Sequence, residues 1–213
     1  MKPAFTKANK YIFDPSAWSW SLPSGTTCPG AVECLAKADR ETGKISYGPG
    51  MKFRCYAAMT ERYPSVRKRL WCNFDAVRGK KKDEIKKVLT EAFPEKAKLI
   101  RIHTAGDFFS QEYFDAWLDF CREKPDVRFW AFTKSLPFWI ARLESIPSNL
   151  ELQASYGGRH DHLIAEHNLK FARVVWSEDE ANRLGLVIDK DDRRAAYPGP
   201  SFALMENFTR NKK

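Results

Sequence analysis

The chain has 213 residues, enough for one well-packed domain and short for two, and 43% of them are hydrophobic, so a core can form. No apolar run reaches the roughly 18 residues of a membrane span, and the opening Met-Lys-Pro-Ala-Phe-Thr-Lys lacks the apolar stretch of a signal peptide. A reducing cytoplasm is therefore expected; there, five cysteines favour metal ligation or packing over disulfides, and a formal charge of +9 favours polyanionic partners.

Residues 1–56 are punctuated by turn formers: Pro15, Pro23, Gly25, Pro29, Gly30, Gly43, Gly48, Pro49 and Gly50. Trp18, Trp20 and Leu22 alternate with Ser19, Ser21 and Pro23, which predicts a short extended segment. An irregular region of this length needs something to restrain it. Cys28, Cys34, Cys55 and Cys72 can supply that restraint by ligating one metal centre, making residues 1–75 a loop-rich metal-binding region in front of a core at 83–205 of the same domain.

The spacing Cys28-x5-Cys34-x20-Cys55-x16-Cys72 is neither that of the common zinc fingers nor that of the bacterial ferredoxins. An iron–sulfur cluster is the expected cofactor, with 4Fe–4S as its expected form. Zinc is the alternative, and four ordinary buried thiols the plain reading. Cys28 lies in Thr27-Cys28-Pro29-Gly30, a turn that frees backbone amides to face a cluster, and Cys55 opens a predicted helix whose dipole favours a thiolate. Cys72, flanked by Trp71 and Phe74, can equally be packing. Three thiolates without it would leave one iron open, which suits substrate binding; four suit a structural or electron-transfer role.

Residues 52–101 hold 15 Lys or Arg against 6 Asp or Glu, whereas the rest of the chain holds 21 of each, so one stretch carries the whole positive excess. Arg67, Lys68 and Arg69, followed by Arg78, Lys80, Lys81 and Lys82, are the candidate contacts to DNA or RNA. The plain reading is a solvated helix face.

From residue 83 the pattern becomes regular. Asp83 is placed to cap a helix with Ile85, Val88, Leu89 and Ala92 on one face. Four apolar segments follow, starting at 99, 127, 150 and 171, spaced by 28, 23 and 21 residues. That pace predicts βα units in an α/β fold, either a mainly parallel sheet or a partial TIM-like barrel. Between them, Phe114, Trp117, Leu118 and Cys121 form a buried helical stripe, Ser135 and Pro137 start a helix, and Ser177 with Glu180 form a capping box. Leu186 to Ile188 and Phe202 to Leu204 are further strand candidates.

Parallel α/β folds bind ligands at the carboxyl ends of their strands. Here those ends carry His103, Thr104 and Asp107, then Thr133 and Lys134, then Gln153 and Ser155, then Ser177. His103 with Asp107 suits a base and its orienting carboxylate, and Lys134 suits a phosphate or carboxylate partner. Equally open are a His103 bonded inside the fold and a solvated Lys134. Gly157-Gly158-Arg159 can offer amides to an anion, and His160-Asp161-His162 can offer metal ligands, though a plain turn serves as well.

Several segments resemble the phage gene-product-88 family: Ser21-Leu22-Pro23-x4-Cys28-Pro29-Gly30-Ala31, Phe53-Arg54-Cys55-Tyr56-Ala57-Ala58, the run Arg101 to Tyr113, Phe132-Thr133-Lys134-Ser135 and Pro200 to Leu204. The resemblance implies a phage-encoded protein of the host cytoplasm, with a host protein as a further possible partner, and no secure activity. Cysteines ahead of βα units are also similar in plan to the radical S-adenosylmethionine enzymes, but their C-x3-C-x2-C motif is missing, so that likeness is one of fold plan alone. Three functions follow as expectations: an iron–sulfur protein engaging nucleic acid, an α/β enzyme acting on a small molecule at the strand-end rim beside the cluster, or a non-catalytic module stapled by structural zinc.

Overall fold

The computed structural model describes residues 1–8 and 11–206. The front of the chain gives β1 (Thr6–Lys7), β2 (Trp18–Trp20), β3 (Ala36–Ala38), β4 (Ile45–Tyr47) and the helices α1 (Tyr56–Thr60), α2 (Pro64–Val77) and α3 (Lys82–Ala92). Then come β5 (Leu99–Ile102), α4 (Gln111–Arg122), β6 (Arg128–Thr133), α5 (Leu136–Ile140), β7 (Leu150–Ser155) and α6 (His162–Glu166). The chain continues through β8 (Phe171–Val175), α7 (Glu178–Arg183), β9 (Val187–Ile188), α8 (Arg193–Ala196) and β10 (Phe202–Met205).

Eight strands form one sheet in the order β1-β2-β5-β6-β7-β8-β10-β9, parallel throughout except for the antiparallel pair β1–β2. The predicted α/β class and the four strands at its centre are thus present. Among the described residues β1 and β9 remain separate edges, so the sheet is open and does not close into a barrel. The front of the chain is woven into this sheet rather than set before it: β2 pairs with β5, Trp18 opposite Ile100 and Trp20 opposite Ile102. The remainder of the turn-rich region holds the hairpin β3–β4.

Alternation decides what each sheet face buries. The first face carries Trp20, Ile100, Ile102, Phe129, Ala131, Leu150, Leu152 and Ala154 against α3 and α4, and this is the main core. On α4, Phe114, Trp117, Leu118 and Cys121 are all buried as the stripe predicts, each large side chain contributing roughly 1.5–3 kcal/mol by burial. Ser110 starts that helix by accepting the Tyr113 N–H at 3.2 Å. The helix predicted from Asp83 begins one residue earlier, because the Lys81 backbone N–H is taken by Glu84 Oε2 at 3.0 Å, leaving Asp83 and Glu84 in the first turn where the dipole favours them. Ser177 caps α7 by accepting from Glu180 N, while the Glu180 carboxylate reaches the Trp176 N–H. The second sheet face is covered at its amino-terminal half by α8 and by Ile12 and Ala17, packed on Trp130, Ala172 and Phe202. Among the described residues no helix is long and apolar enough to cross a membrane.

Candidate functional site at the carboxyl ends of the strands

The segment from Pro23 to Leu35 leaves the end of β2 and runs across the carboxyl ends of β5, β6 and β7. Its close approach depends on glycine. A Cβ on Gly30 would lie 2.1 Å from the Lys134 carbonyl oxygen, and Gly157, at φ +92°, abuts Glu33. The loop is fixed by backbone bonds: the Gly157 carbonyl accepts from Val32 and Glu33, and the Gly30 carbonyl accepts from Arg159 N. Behind it, buried Glu61 accepts the Ser24 N–H at 2.7 Å, and Asn73 donates to the Ser21 carbonyl at 3.1 Å.

This path brings three of the four predicted cysteines into mutual electrostatic reach. Cys28 is pushed well above the ordinary thiol range by burial, then by the negative charges of Asp107 and Cys55, against a Gly25 N–H directed at its sulfur at 3.3 Å. Cys34 is raised by burial, eased by Lys134 and raised again by Asp107. Cys55 is raised by burial and by Cys34, while the Ala58 and Ala57 amides of α1 pull the other way. Cys55 is the N-cap of α1, so the sequence reading of it as a helix opener holds.

Cys72 stands apart from them. It lies on α2, off the buried stripe of Leu70, Asn73 and Val77, and its Sγ donates to the Met1 carbonyl at 3.1 Å. Leu70 and Cys72, two residues apart, face different ways on a helix. Cys121 is core. The expected gathering of four thiolates is therefore a gathering of three.

Among the described residues no group of three or more His, Cys, Asp or Glu could hold a single metal ion. The three thiols suit a soft metal by donor type, and their raised pKa values mark a site short of positive charge, which a coordinated metal reverses by deprotonating its thiols outright. The Gly25, Ala57 and Ala58 amides are of the kind that bond to cluster sulfurs and tune a potential.

The polar strand-end residues divide into separate groups. Asp107 is buried and fully engaged: Oδ1 accepts from Thr133 Oγ1 at 2.6 Å and Phe108 N at 2.7 Å, Oδ2 from Lys134 N at 2.8 Å. Burial pushes its carboxyl up to about 6. Lys134 donates through Nζ to the Ser155 carbonyl at 3.1 Å, Ser155 Oγ at 2.7 Å and the Tyr156 carbonyl at 2.5 Å, so it latches the end of β7 beneath the cysteine loop. His103 does not pair with Asp107. Its φ of +65° breaks the strand alternation and turns the ring into the core, where Nε2 meets Tyr113 Oη at 2.9 Å among Phe108, Tyr113 and Trp117. Burial, with Arg101, lowers it to about 3, so the ring is neutral. The expected base and orienting carboxylate are thus two independent structural groups in this state.

The Gly157 and Gly158 amides are filled by Asp161, each at 2.9 Å, so that turn binds its own carboxylate. Of the basic run, Arg67 is buried and donates to the carbonyls of Arg40, Glu41, Glu61 and Arg62. Arg69 reaches the Lys2 carbonyl, and Lys68 is exposed. Arg78 pairs with Asp75 at 3.2 Å, Lys80 with Glu84 at 3.9 Å, Lys81 with Glu112 at 3.4 Å and Lys82 with Asp119 at 2.8 Å. The packing of α3 on α4 thus answers much of this charge from within the chain.

Sequence reasoning missed a second group beside the cysteines. Tyr56, next to Cys55, donates to the Thr104 carbonyl at 2.8 Å and accepts from Arg101 Nη2 at 3.1 Å, and Arg101 Nη1 pairs with Asp192 at 2.6 Å. The available signal was an arginine in mid-strand, Leu99-Ile100-Arg101-Ile102, where alternation places it on the face opposite the main core.

Comparison with known proteins sets this geometry in a family. The family model described as Gene product 88 matches residues 2–213. The Gene 88 protein of Mycobacterium phage L5 is 34% identical over 128 residues, covering 54% of this chain and 47% of the relative. That of Mycobacterium phage D29 is 33% identical over 128 residues, with the same coverage. The aligned region thus spans about half the length of these relatives. No solved structure matches. With the family model matching nearly every residue, and with mycobacteriophage relatives above 30% identity, the chain belongs to the phage gene-product-88 family.

Proposed function

We propose that this phage protein is an iron–sulfur protein in which Cys28, Cys34 and Cys55 hold a 4Fe–4S cluster over the carboxyl ends of the strands, and that it acts as an α/β enzyme on a small molecule bound beside that cluster. The observation that carries the reading is the electrostatic coupling of three thiols far apart in sequence on one rim, with amides directed at their sulfurs. A cluster with three thiolate ligands supplies an open iron position and electrons. The chain's own residues prepare its surroundings. Lys134 offsets negative charge near Cys34, Asp107 ties the ends of β5 and β6 together, and Thr27 Oγ1, 3.4 Å from the Asp107 N–H, joins the cysteine loop to both.

The partly filled barrel plan fits the same reading, since an open sheet leaves one face free for a ligand. Engagement of DNA or RNA is the second reading, favoured by the concentration of the positive excess in residues 52–101, with the host cell as the place of action. Phosphate contacts would make such binding fall steeply with salt.

Anaerobic purification, followed by an absorption spectrum and by iron, sulfide and zinc analysis, tests the proposal. Brown protein with matching iron and sulfide supports the cluster. Colourless protein with one zinc per chain supports the structural-zinc module instead, and metal-free protein after reconstitution removes both.

A further inference from the structure

We propose that the carboxyl-terminal half of the second sheet face is a binding cleft for a nucleotide unit, its base held between the Phe132, Tyr56 and Trp176 rings. This goes beyond the iron–sulfur reading and does not depend on it.

The second-face residues become more exposed along each strand in the same direction. At the amino-terminal half Trp130 and Phe202 are 0% exposed and Ala172 is 2% exposed, all under α8. One step toward the carboxyl ends, Arg101, Phe132, Val174 and Leu204 are only partly buried, and Trp176, continuing the alternation of β8, is 44% exposed. An uncovered half-face at the centre of an eight-stranded sheet is a cleft, and it lies at the end of the sheet where parallel α/β folds take ligands.

Its lining is selective. Tyr56, 37% exposed, stands on the β5 side and Trp176 on the β8 side, three strand spacings or about 14 Å apart. Phe53 packs edge-on against Trp176 with ring centres 6.4 Å apart. Between them, two buried polar atoms on this face lack partners: Arg101 Nε, a donor, and Gln153 Oε1, an acceptor. A ligand that completes them must bring an acceptor and a donor together with a flat face for the rings. A nucleobase has both on one edge and a π-face, and its phosphate suits a chain of formal charge +9. A saturated sugar offers no face to stack, and an acyl chain offers neither polar group. The same unit can arrive as a free nucleotide or as one residue of a single strand.

The test uses the purified protein with three probes: adenosine and uridine monophosphates, a short single strand, and a duplex of the same sequence. Binding is read by tryptophan fluorescence and by anisotropy. Trp176→Ala and Phe53→Ala, at an exposed and a half-buried position, are expected to weaken binding about 5- to 150-fold, the effect of losing one base stack. The double variant Lys81→Ala/Lys82→Ala is expected to leave it nearly unchanged. Binding of the monophosphates supports a free nucleotide. Binding of the single strand alone, still lost in Trp176→Ala, supports the cleft with nucleic acid as its source. No binding of any probe, equal binding of the duplex, or loss only in the lysine variant overturns the proposal. Circular dichroism of each variant shows whether a loss reflects unfolding, in which case the unaffected one of the two aromatic variants decides.

Discussion

Replacing Arg67 with methionine distinguishes two uses of one residue. In the sequence, Arg67 belongs to a run of cations suited to phosphate. In the fold its guanidinium is buried and donates to the Arg40 carbonyl at 2.8 Å, Glu61 at 2.6 Å, Glu41 at 2.9 Å and Arg62 at 3.3 Å. It thereby joins the start of α2 to the turn after β3 and to the end of α1, the helix that carries Cys55 at its cap. Methionine keeps the stem and removes every donor. A hydrogen bond from a charged group is worth roughly 1.5–3 kcal/mol, and a buried carbonyl left without its donor costs about 1–3 kcal/mol. These bonds share one side chain and are not additive, so a loss of about 3–5 kcal/mol is expected, comparable to breaking a buried pair. For a chain of this length that lowers Tm by roughly 6–20 °C. Thermal and urea unfolding followed by circular dichroism measure it, with oligonucleotide binding at low salt as the second readout. A Tm within about 2 °C of the parent, combined with lost nucleic-acid affinity, would refute the reasoning and return Arg67 to the surface.

Two buried titratable groups are expected to act in opposite directions with pH. His103 is lowered to about 3, so the unfolded chain takes up its proton first and stability falls as pH drops below the ordinary imidazole value. Asp107 is raised to about 6, so the folded chain is protonated first and stability is gained as pH falls through that value. Between pH 7 and 4.5, His103→Asn, chosen because Asn tolerates the left-handed backbone, should gain stability on acidification relative to the parent. Asp107→Asn should lose it, each by roughly 2–3 kcal/mol at about 1.4 kcal/mol per pH unit; urea midpoints showing parallel slopes in all three proteins would contradict this. Gly30→Ala would put a Cβ 2.1 Å from the Lys134 carbonyl, and the resulting strain of about 1–3 kcal/mol should lift the cysteine loop. Faster proteolysis confined to residues 23–36 is the expected sign, and an unchanged digest would count against the described approach.

The regular half of the fold was legible because its signals are local. The four strands of the βα units, the α4 stripe and the α7 cap all follow from spacing within a few residues. The place of β2 beside β5 was not, since a parallel pair separated by some eighty residues leaves no trace in the pattern of either strand beyond the alternation at Trp18 and Trp20. Charge runs misled for a similar reason: whether Arg67 meets phosphate or carbonyls is decided by the turn after β3, far away in sequence. At His103 a single left-handed residue reversed the alternation, moving the ring from the rim into the core and giving Thr104 the rim position instead. Cys72 was separable in principle, because the buried stripe Leu70, Asn73 and Val77 excludes it by helical periodicity.

The central claim is that three particular thiolates, and not a fourth, hold the cofactor. Serine substitution of each cysteine in turn, with anaerobic reconstitution and measurement of iron and sulfide per chain, tests it directly. Cys72→Ser should retain the parent's content, while Cys28→Ser, Cys34→Ser and Cys55→Ser should each lose most of it. Equal loss in Cys72→Ser, or full retention in any of the other three, would contradict the account.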